Sequence, residues 1–165
     1  MAEITVDFVA AGRVASRAEL KAIRLIQISA QCDPKTSGPL EPTLDHDCTV
    51  ANRSGSALEI ACNYRFNVRT TQADVANAVI VYLLTYELQG NELFAEDDIG
   101  QFALSNGTLH SWPFVRELLY ALTSRMGYPP YTLPVFHFKA KTPQQEKVAE
   151  KINEPEQVDA PKSPG

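Results

Sequence analysis

The sequence is poor in the side chains that most often carry chemistry. Its 165 residues include three histidines, three cysteines and one tryptophan. His46, His110 and His137 are scattered, and no two have the HxxxH spacing that sets a pair of imidazoles on one helical face around a metal. Cys32, Cys48 and Cys62 are odd in number and match no zinc spacing. Each falls in an expected strand, so three reduced, mostly buried thiols are expected. A glycine-rich phosphate loop and a GxSxG elbow are both missing. No catalytic residue, metal ligand or cofactor is expected. Cationic residues are also short. Fifteen Lys and Arg against twenty Asp and Glu leave a net charge of −5, which argues against nucleic acid as the main partner, since phosphates need a basic patch. Nowhere is there an apolar run of about 18 residues, so no membrane span is expected. Residues 1–18 carry Glu3 and Asp7 and have neither a basic start nor a long apolar stretch, so no signal peptide is expected and the location read is cytoplasmic.

What is present is a 44% apolar composition, enough to build one core without metal or disulfide. Ile4, Phe8, Ala11, Val14 and Ala18 share a helical face, which predicts a short helix over residues 4–18, weakened by Gly12. From Leu20 the period becomes two. In residues 20–32, Ala22, Ile26, Ile28, Ala30 and Cys32 fall on one face, with Ile23 and Leu25 on the other. Residues 43–50 alternate with Leu44, His46, Cys48 and Val50 on one side. Residues 57–69 are the clearest strand: Leu58, Ile60, Cys62, Tyr64, Phe66 and Val68 face one way, with polar residues opposite. Residues 75–88 are apolar on both faces and rich in Val, Ile and Tyr, so a strand covered on both sides is expected. Glu96, Asp97 and Asp98 open a short helix that Asn106-Gly107 closes. Ser111 then caps a second helix, with Pro113 in its first turn and an apolar stripe of Val115, Leu119, Leu122 and Met126. Gly127 and Pro129-Pro130 stop it. Residues 142–165 are rich in Pro, Glu, Lys and Gln and read as a mostly disordered tail. Strands grouped before helices give an α+β fold, a four-stranded antiparallel sheet with helices packed on one face.

The stretch 111–138 is the most informative. Tyr128, Tyr131, Phe136 and Phe138 crowd into an irregular segment with three prolines. Such a segment runs on the surface, and apolar groups clustered there mark a binding groove. Arg116 and Glu117 are adjacent on the helix, so they face different partners.

These residues carry a resemblance. Trp112-Pro113-Phe114-Val115-Arg116-Glu117 resembles the helix motif of the SecB family of chaperones, and Ser124-Arg125 with Pro129, Pro130 and Leu133 resembles the linker after it. The likeness spans roughly residues 18–138. It is greatest to SecB-like chaperones associated with toxin–antitoxin systems, through AELKAIRL at 18–25 and the spacing of Phe102, Pro113–Glu117 and Leu122–Leu133. The resemblance implies an ATP-independent holdase that binds unfolded or aggregation-prone chains in apolar grooves, assembled as a homotetramer (a dimer of dimers). It implies control of a toxin–antitoxin system or assistance to protein export, with an antitoxin as a candidate client. Carried over by position, the groove would use Ile26, Ile28, Trp112, Tyr128, Tyr131, Leu133 and Val135, and the subunit contacts Leu25, Arg116, Leu119 and Tyr120. Residues 1–141 would form the chaperone domain. Export members dock the translocase motor through acidic residues on strands one and four. Here residues 27–31 hold Gln27 and Gln31 at those places, and no acid lies between Asp74 and Glu87, which disfavours that docking. The family's long final helix is replaced by a weak, charged segment.

Two other readings compete. An adaptor for one folded partner would show a single tight client and no affinity for unfolded chains. A hotdog-like thioesterase would wrap its sheet around a helix bearing a carboxylate, for which Glu117 is the candidate.

Overall fold

A computed structural model describes residues 4–33, 38–90 and 93–141. The charged segment expected from residue 142 lies outside the described residues. Along the chain run β1 (Ile4–Val6), α1 (Phe8–Ala15), β2 (Ala18–Cys32), β3 (Glu41–Ser54), β4 (Ala57–Arg69), β5 (Asp74–Leu88), α2 (Glu96–Phe102), a π-helical turn (Ala103–Gly107), α3 (Thr108–Arg125) and β6 (Phe138–Ala140). The expected four-stranded antiparallel sheet is present in the order β2-β5-β4-β3, and β1 pairs in parallel with β6 as a separate two-stranded sheet.

The start of the chain differs from the expected helix over 4–18. The Asp7 carboxylate accepts the backbone N–H groups of Val9 and Ala10, each at 3.0 Å, which caps the helix and fixes its start at Phe8. The residues before it are extended instead, and the Lys141 N–H donates to the Val6 carbonyl at 2.8 Å, so both ends of the described chain meet in one ribbon.

The inward face of the sheet follows the alternation. Leu58, Ile60, Cys62, Tyr64, Phe66 and Val68 on β4 stand opposite Tyr86, Leu84, Tyr82, Ile80, Ala78 and Ala76 on β5, all buried. β2 does not keep a single alternation. Irregularities between Leu20 and Ala22 and between Leu25 and Gln27 each shift the register. A one-residue shift moves side chains to the opposite face. Ile23 and Leu25 therefore pair with Leu84 and Tyr82 on the inward face, together with Ile28 and Ala30, whereas Ala22 pairs with outward-facing Thr85.

A third bulge, between Val50 and Asn52, sets Cys48 directly opposite Cys62 with Cα atoms 4.1 Å apart. The two are joined as a disulfide, and Cys32 is exposed. The expectation of three reduced thiols is corrected for Cys48 and Cys62, which are buried as expected, whereas Cys32 is not.

Residues 96–125 form one helical run, where a break at Asn106-Gly107 was expected. Gly107 has φ −57° and ψ −50°, ordinary helical values. It is there for space: a Cβ on it would lie 3.0 Å from Cys62 Sγ and 3.1 Å from Cys48 Cβ and from Ile60 Cγ2. Ser111 is no cap. Its hydroxyl turns back to the Gly107 carbonyl at 2.6 Å, as those of Ser105, Thr108 and Thr123 turn to Gln101, Leu104 and Leu119. This i−4 bonding satisfies hydroxyls on the buried side of a helix. Pro113 accordingly stands inside α3. The run ends as expected at Gly127 (φ 81°), where Tyr128 N–H donates to Thr123 O at 3.0 Å and Gly127 N–H to Ser124 O at 3.1 Å. This is the Schellman pattern, which needs a left-handed residue that glycine supplies without strain.

Candidate client groove

After α3 the chain crosses back over the sheet as an irregular linker, residues 126–137, held by side chains in place of a strand ladder. Tyr128 OH donates to the carbonyls of Asp33 and Val75 at 3.0 and 3.1 Å. The Tyr131 N–H donates to Thr123 Oγ1 at 2.9 Å. Leu133 is fully buried in the core. The Trp112 indole N–H donates to the Pro134 carbonyl at 3.0 Å. Phe136 then packs edge-on against His46 and Trp112, with centroids 5.1 and 4.7 Å apart, and contacts Phe138 at 4.6 Å.

Two cavities flank the tethered linker. The first, of about 230 Å³, lies between Leu40, Pro42, Phe66 and Val68 of the sheet side and Thr123, Tyr128, Pro129, Pro130 and Tyr131. Its walls are almost wholly apolar, and the Tyr131 ring packs on Phe66 at 5.0 Å. Burial pushes the Tyr131 phenol above its ordinary pKa, so it offers a neutral hydroxyl. The second, of about 480 Å³, is lined by Trp112, Pro113, Arg116, Glu117, Tyr120 and Thr132. It mixes two aromatic rings with one charge of each sign.

Beneath the linker is an aromatic cluster. The His46 ring stacks on Tyr64, at 5.5 Å and 8°, and meets Trp112 at 5.5 Å. Tyr64 OH and Ser111 Oγ are 2.6 Å apart in the core, and burial drives the Tyr64 phenol well up. His46 Nε2 is buried with no hydrogen-bond partner. Burial lowers the His46 pKa, opposed by the negative charges of Asp47 and Asp45.

The sequence-expected site residues divide accordingly. Tyr128 and Tyr131 line the first cavity, and Trp112 lines the second with Arg116 and Tyr120. Val135 is 64% exposed on the linker. Ile26 and Ile28, 55% and 46% exposed, lie on edge strand β2 and line neither cavity. Leu133 is corrected: it is sealed in the core and anchors the linker without lining the groove. Leu119 is corrected likewise. It faces the sheet, fully buried within this chain, and offers nothing to a second subunit, whereas Leu25 and Tyr120 are 44% and 51% exposed. Phe66, Val68, Leu40 and Pro42 went unassigned in the sequence, although the first two sit at the end of its clearest alternating strand. Among the described residues no cluster of His, Cys, Asp and Glu could hold a metal, and no helix is long and apolar enough to cross a membrane. The helical run lies on one face of the sheet, which does not wrap it, so the thioesterase reading is not favoured.

No family model matches the chain. Two curated relatives from Mycobacterium tuberculosis do: SecB-like chaperone Rv1957 of strain ATCC 25618 / H37Rv and SecB-like chaperone MT2006 of strain CDC 1551 / Oshkosh. Each is 29% identical over 146 residues, covering 74% of this chain and 80% of the relative. The solved structure of M. tuberculosis Rv1957 with a ChAD peptide from the Rv1956 HigA1 antitoxin matches with a TM-score of 0.70 at 26% identity, covering 78% of this chain and 98% of that one. In sequence and in fold the chain is therefore SecB-like, and its likeness is to SecB-like chaperones linked to toxin–antitoxin systems.

Proposed function

We propose that this protein is an ATP-independent holdase that receives extended, aggregation-prone polypeptide segments along the groove beside the 126–137 linker. The observation that carries the reading is the SecB-like fold combined with an apolar cleft whose outer wall is an irregular, side-chain-tethered linker. Tyr128, Tyr131 and Phe66 would take an apolar side chain of the client. Trp112, Tyr120, Arg116 and Glu117 would take the next, with a charge of either sign to hand. The similar structure that holds an antitoxin peptide supports an antitoxin segment as the client here, and control of a toxin–antitoxin system as the role. The reading includes residues 1–141 as the chaperone unit, no catalytic activity, a cytoplasmic location and a homotetramer. Exposed Leu25, Ile26 and Ile28 on β2 and Phe114 and Tyr120 on α3 supply apolar surface for subunit contacts.

The test is a light-scattering assay without ATP, with an unfolded aggregating protein diluted into stoichiometric amounts of this one. Suppression near one client per tetramer is expected. No suppression at excess protein, with the fold intact by circular dichroism, would reject the holdase and favour a single-partner adaptor.

A further inference from the structure

His46 occupies an unusual position for an ionisable group. Tyr64 from β4, Trp112 from α3 and Phe136 from the linker surround its ring, and its buried Nε2 has no partner. The same rings hold the linker down, because Trp112 both contacts His46 and donates to the Pro134 carbonyl, and Phe136 is the next anchor along. We propose that His46 is a proton-operated latch: neutral, it packs under the linker, and protonated, it releases residues 134–138 and loosens the outer wall of the groove. The proposal rests on the groove reading and adds regulation to it.

The charges around the ring set the sign. Asp45 and Asp47 flank His46 on β3 and favour its cation, and Asp47 is itself engaged by Arg65 of β4. From β4 the facing group is the Tyr64 phenol, which bonds Ser111 of α3 and stays neutral. On α3 the charges one turn beyond Trp112 are Arg116 and Glu117, of opposite sign, which line the second cavity with Trp112. On the linker the neighbour of Phe136 is His137. The positive charge would gain something from the ring faces. Against that, a buried N–H⁺ at Nε2 has no acceptor, and an unpaired buried charge is the costlier situation. Burial accordingly lowers the His46 pKa below the ordinary value of about 6.5. At pH 7.5 the latch is closed. As pH falls below the ordinary histidine range, protonation is linked to release, since only an open cluster gives the imidazolium water.

Trp112 is the sole tryptophan, so its emission reports on the latch directly. In full-length protein without client, lowering the pH from 7.5 to 5 should red-shift the emission and raise acrylamide quenching, with far-UV circular dichroism unchanged. His46→Phe and His46→Gln should both abolish this transition, one by filling the cluster and one by keeping polarity without titration. His137→Gln should leave it in place. Persistence of the transition in both His46 variants, quenching without a red shift, or loss of far-UV signal in parallel would each overturn the proposal. Anisotropy of labelled, reduced and alkylated α-lactalbumin then separates the two readings. Affinity that weakens severalfold on acidification in wild type but not in His46→Gln supports the latch. Binding that is present but equal in both at every pH overturns it. Absent binding at pH 7.5 counts against the holdase, while the tryptophan transition still decides the latch.

Discussion

Replacing Gly107 with alanine should destabilise the protein, although by local rules it ought to do the reverse. Gly107 has helical dihedrals inside a continuous helical run. Alanine in a helix interior is better than glycine by about 1 kcal/mol. The structure sets a packing cost against that gain. The new Cβ would lie 3.0 Å from Cys62 Sγ and 3.1 Å from both Cys48 Cβ and Ile60 Cγ2. Carbon atoms prefer separations of about 3.5–4.0 Å, so all three contacts are too close by roughly half an ångström. None of the three atoms is a flexible tip: they sit on paired strands β3 and β4, and two of them belong to one disulfide. Overpacking of a rigid core costs about 1–3 kcal/mol. The net expectation is a loss of about 1 kcal/mol, which for a chain of this size lowers Tm by roughly 2–4 °C. Gly100 on α2 is the control, because a Cβ there meets nothing within 4 Å. Gly100→Ala should gain about 0.5–1 kcal/mol. Urea unfolding followed by circular dichroism at one fixed protein concentration compares the two, with an unchanged slope showing that stability alone moved. If Gly107→Ala raises the midpoint as Gly100→Ala does, the close approach of the π-helical turn to the Cys48–Cys62 pair is wrong.

Tyr131→Ser should weaken binding of an unfolded probe severalfold in an anisotropy titration and leave Tm within a few degrees, since the ring is half-exposed at the cavity. By contrast Leu133→Ala, a truncation in the core, should cost about 2–5 kcal/mol in urea unfolding. The 2.6 Å contact of Tyr64 OH with Ser111 Oγ predicts asymmetry in a double-mutant cycle. Ser111→Ala, which strands a buried phenol, should cost about 1–3 kcal/mol, and adding Tyr64→Phe should recover part of that loss. Asp98 is held by Arg13 through a bidentate pair, which lowers its pKa. A lowered carboxyl pKa adds stability that is complete above the ordinary value of about 3.9 and vanishes as pH falls through the folded value. Below the ordinary carboxylate value, stability should therefore fall less steeply with pH in Asp98→Asn than in the parent, as read by urea midpoints at successive pH values.

The parts of the fold that show in the sequence are those decided locally. β4 alternates without a fault from Leu58 to Val68, and its bounds are as read. Gly127 announces the end of α3 because a left-handed residue is required there whatever surrounds it. The parts that do not show are decided by neighbours distant in the chain. Asn106-Gly107 reads locally as a turn, yet Gly107 is needed by two strands that lie well before it in sequence. The irregularities in β2 leave no local trace, and they exchange which of Ile23, Leu25 and Ile26 face inward. In the hairpin, Ser54 pairs with Ala57, so a regular ladder would set Cys48 across from Asn63. The bulge after Val50 moves Cys48 opposite Cys62 and turns two separate thiols into a pair. For the site the division is the same. The aromatic residues of the linker stand out in the sequence, but which of them anchor it and which line the cavity follows from the sheet beneath. Leu133 and Tyr131 are two residues apart and have opposite roles.

The construction of the linker bears on how a holdase could accept unlike clients. Residues 129, 130 and 134 are prolines with no N–H to donate, so the segment cannot join the sheet as a further strand. Its attachment is a series of separate contacts: the Tyr128 hydroxyl shared between two carbonyls, one bond to Thr123, the Leu133 side chain, one bond from Trp112 and the Phe136 ring. Each hydrogen bond of this kind is worth about 1 kcal/mol net. A strand ladder yields as a unit, whereas such contacts can open one at a time without disturbing β3, β4 and β5, where the core is concentrated. Leu133, sealed in the core, pins the linker just beyond the residues that line the two cavities. A client residue too large for the 230 Å³ cavity would displace Tyr131 and its bond to Thr123, leaving the Trp112 and Phe136 anchors in place. Selectivity in such a groove comes from how much wall a client must lift, so bulky client side chains are the ones it discriminates among.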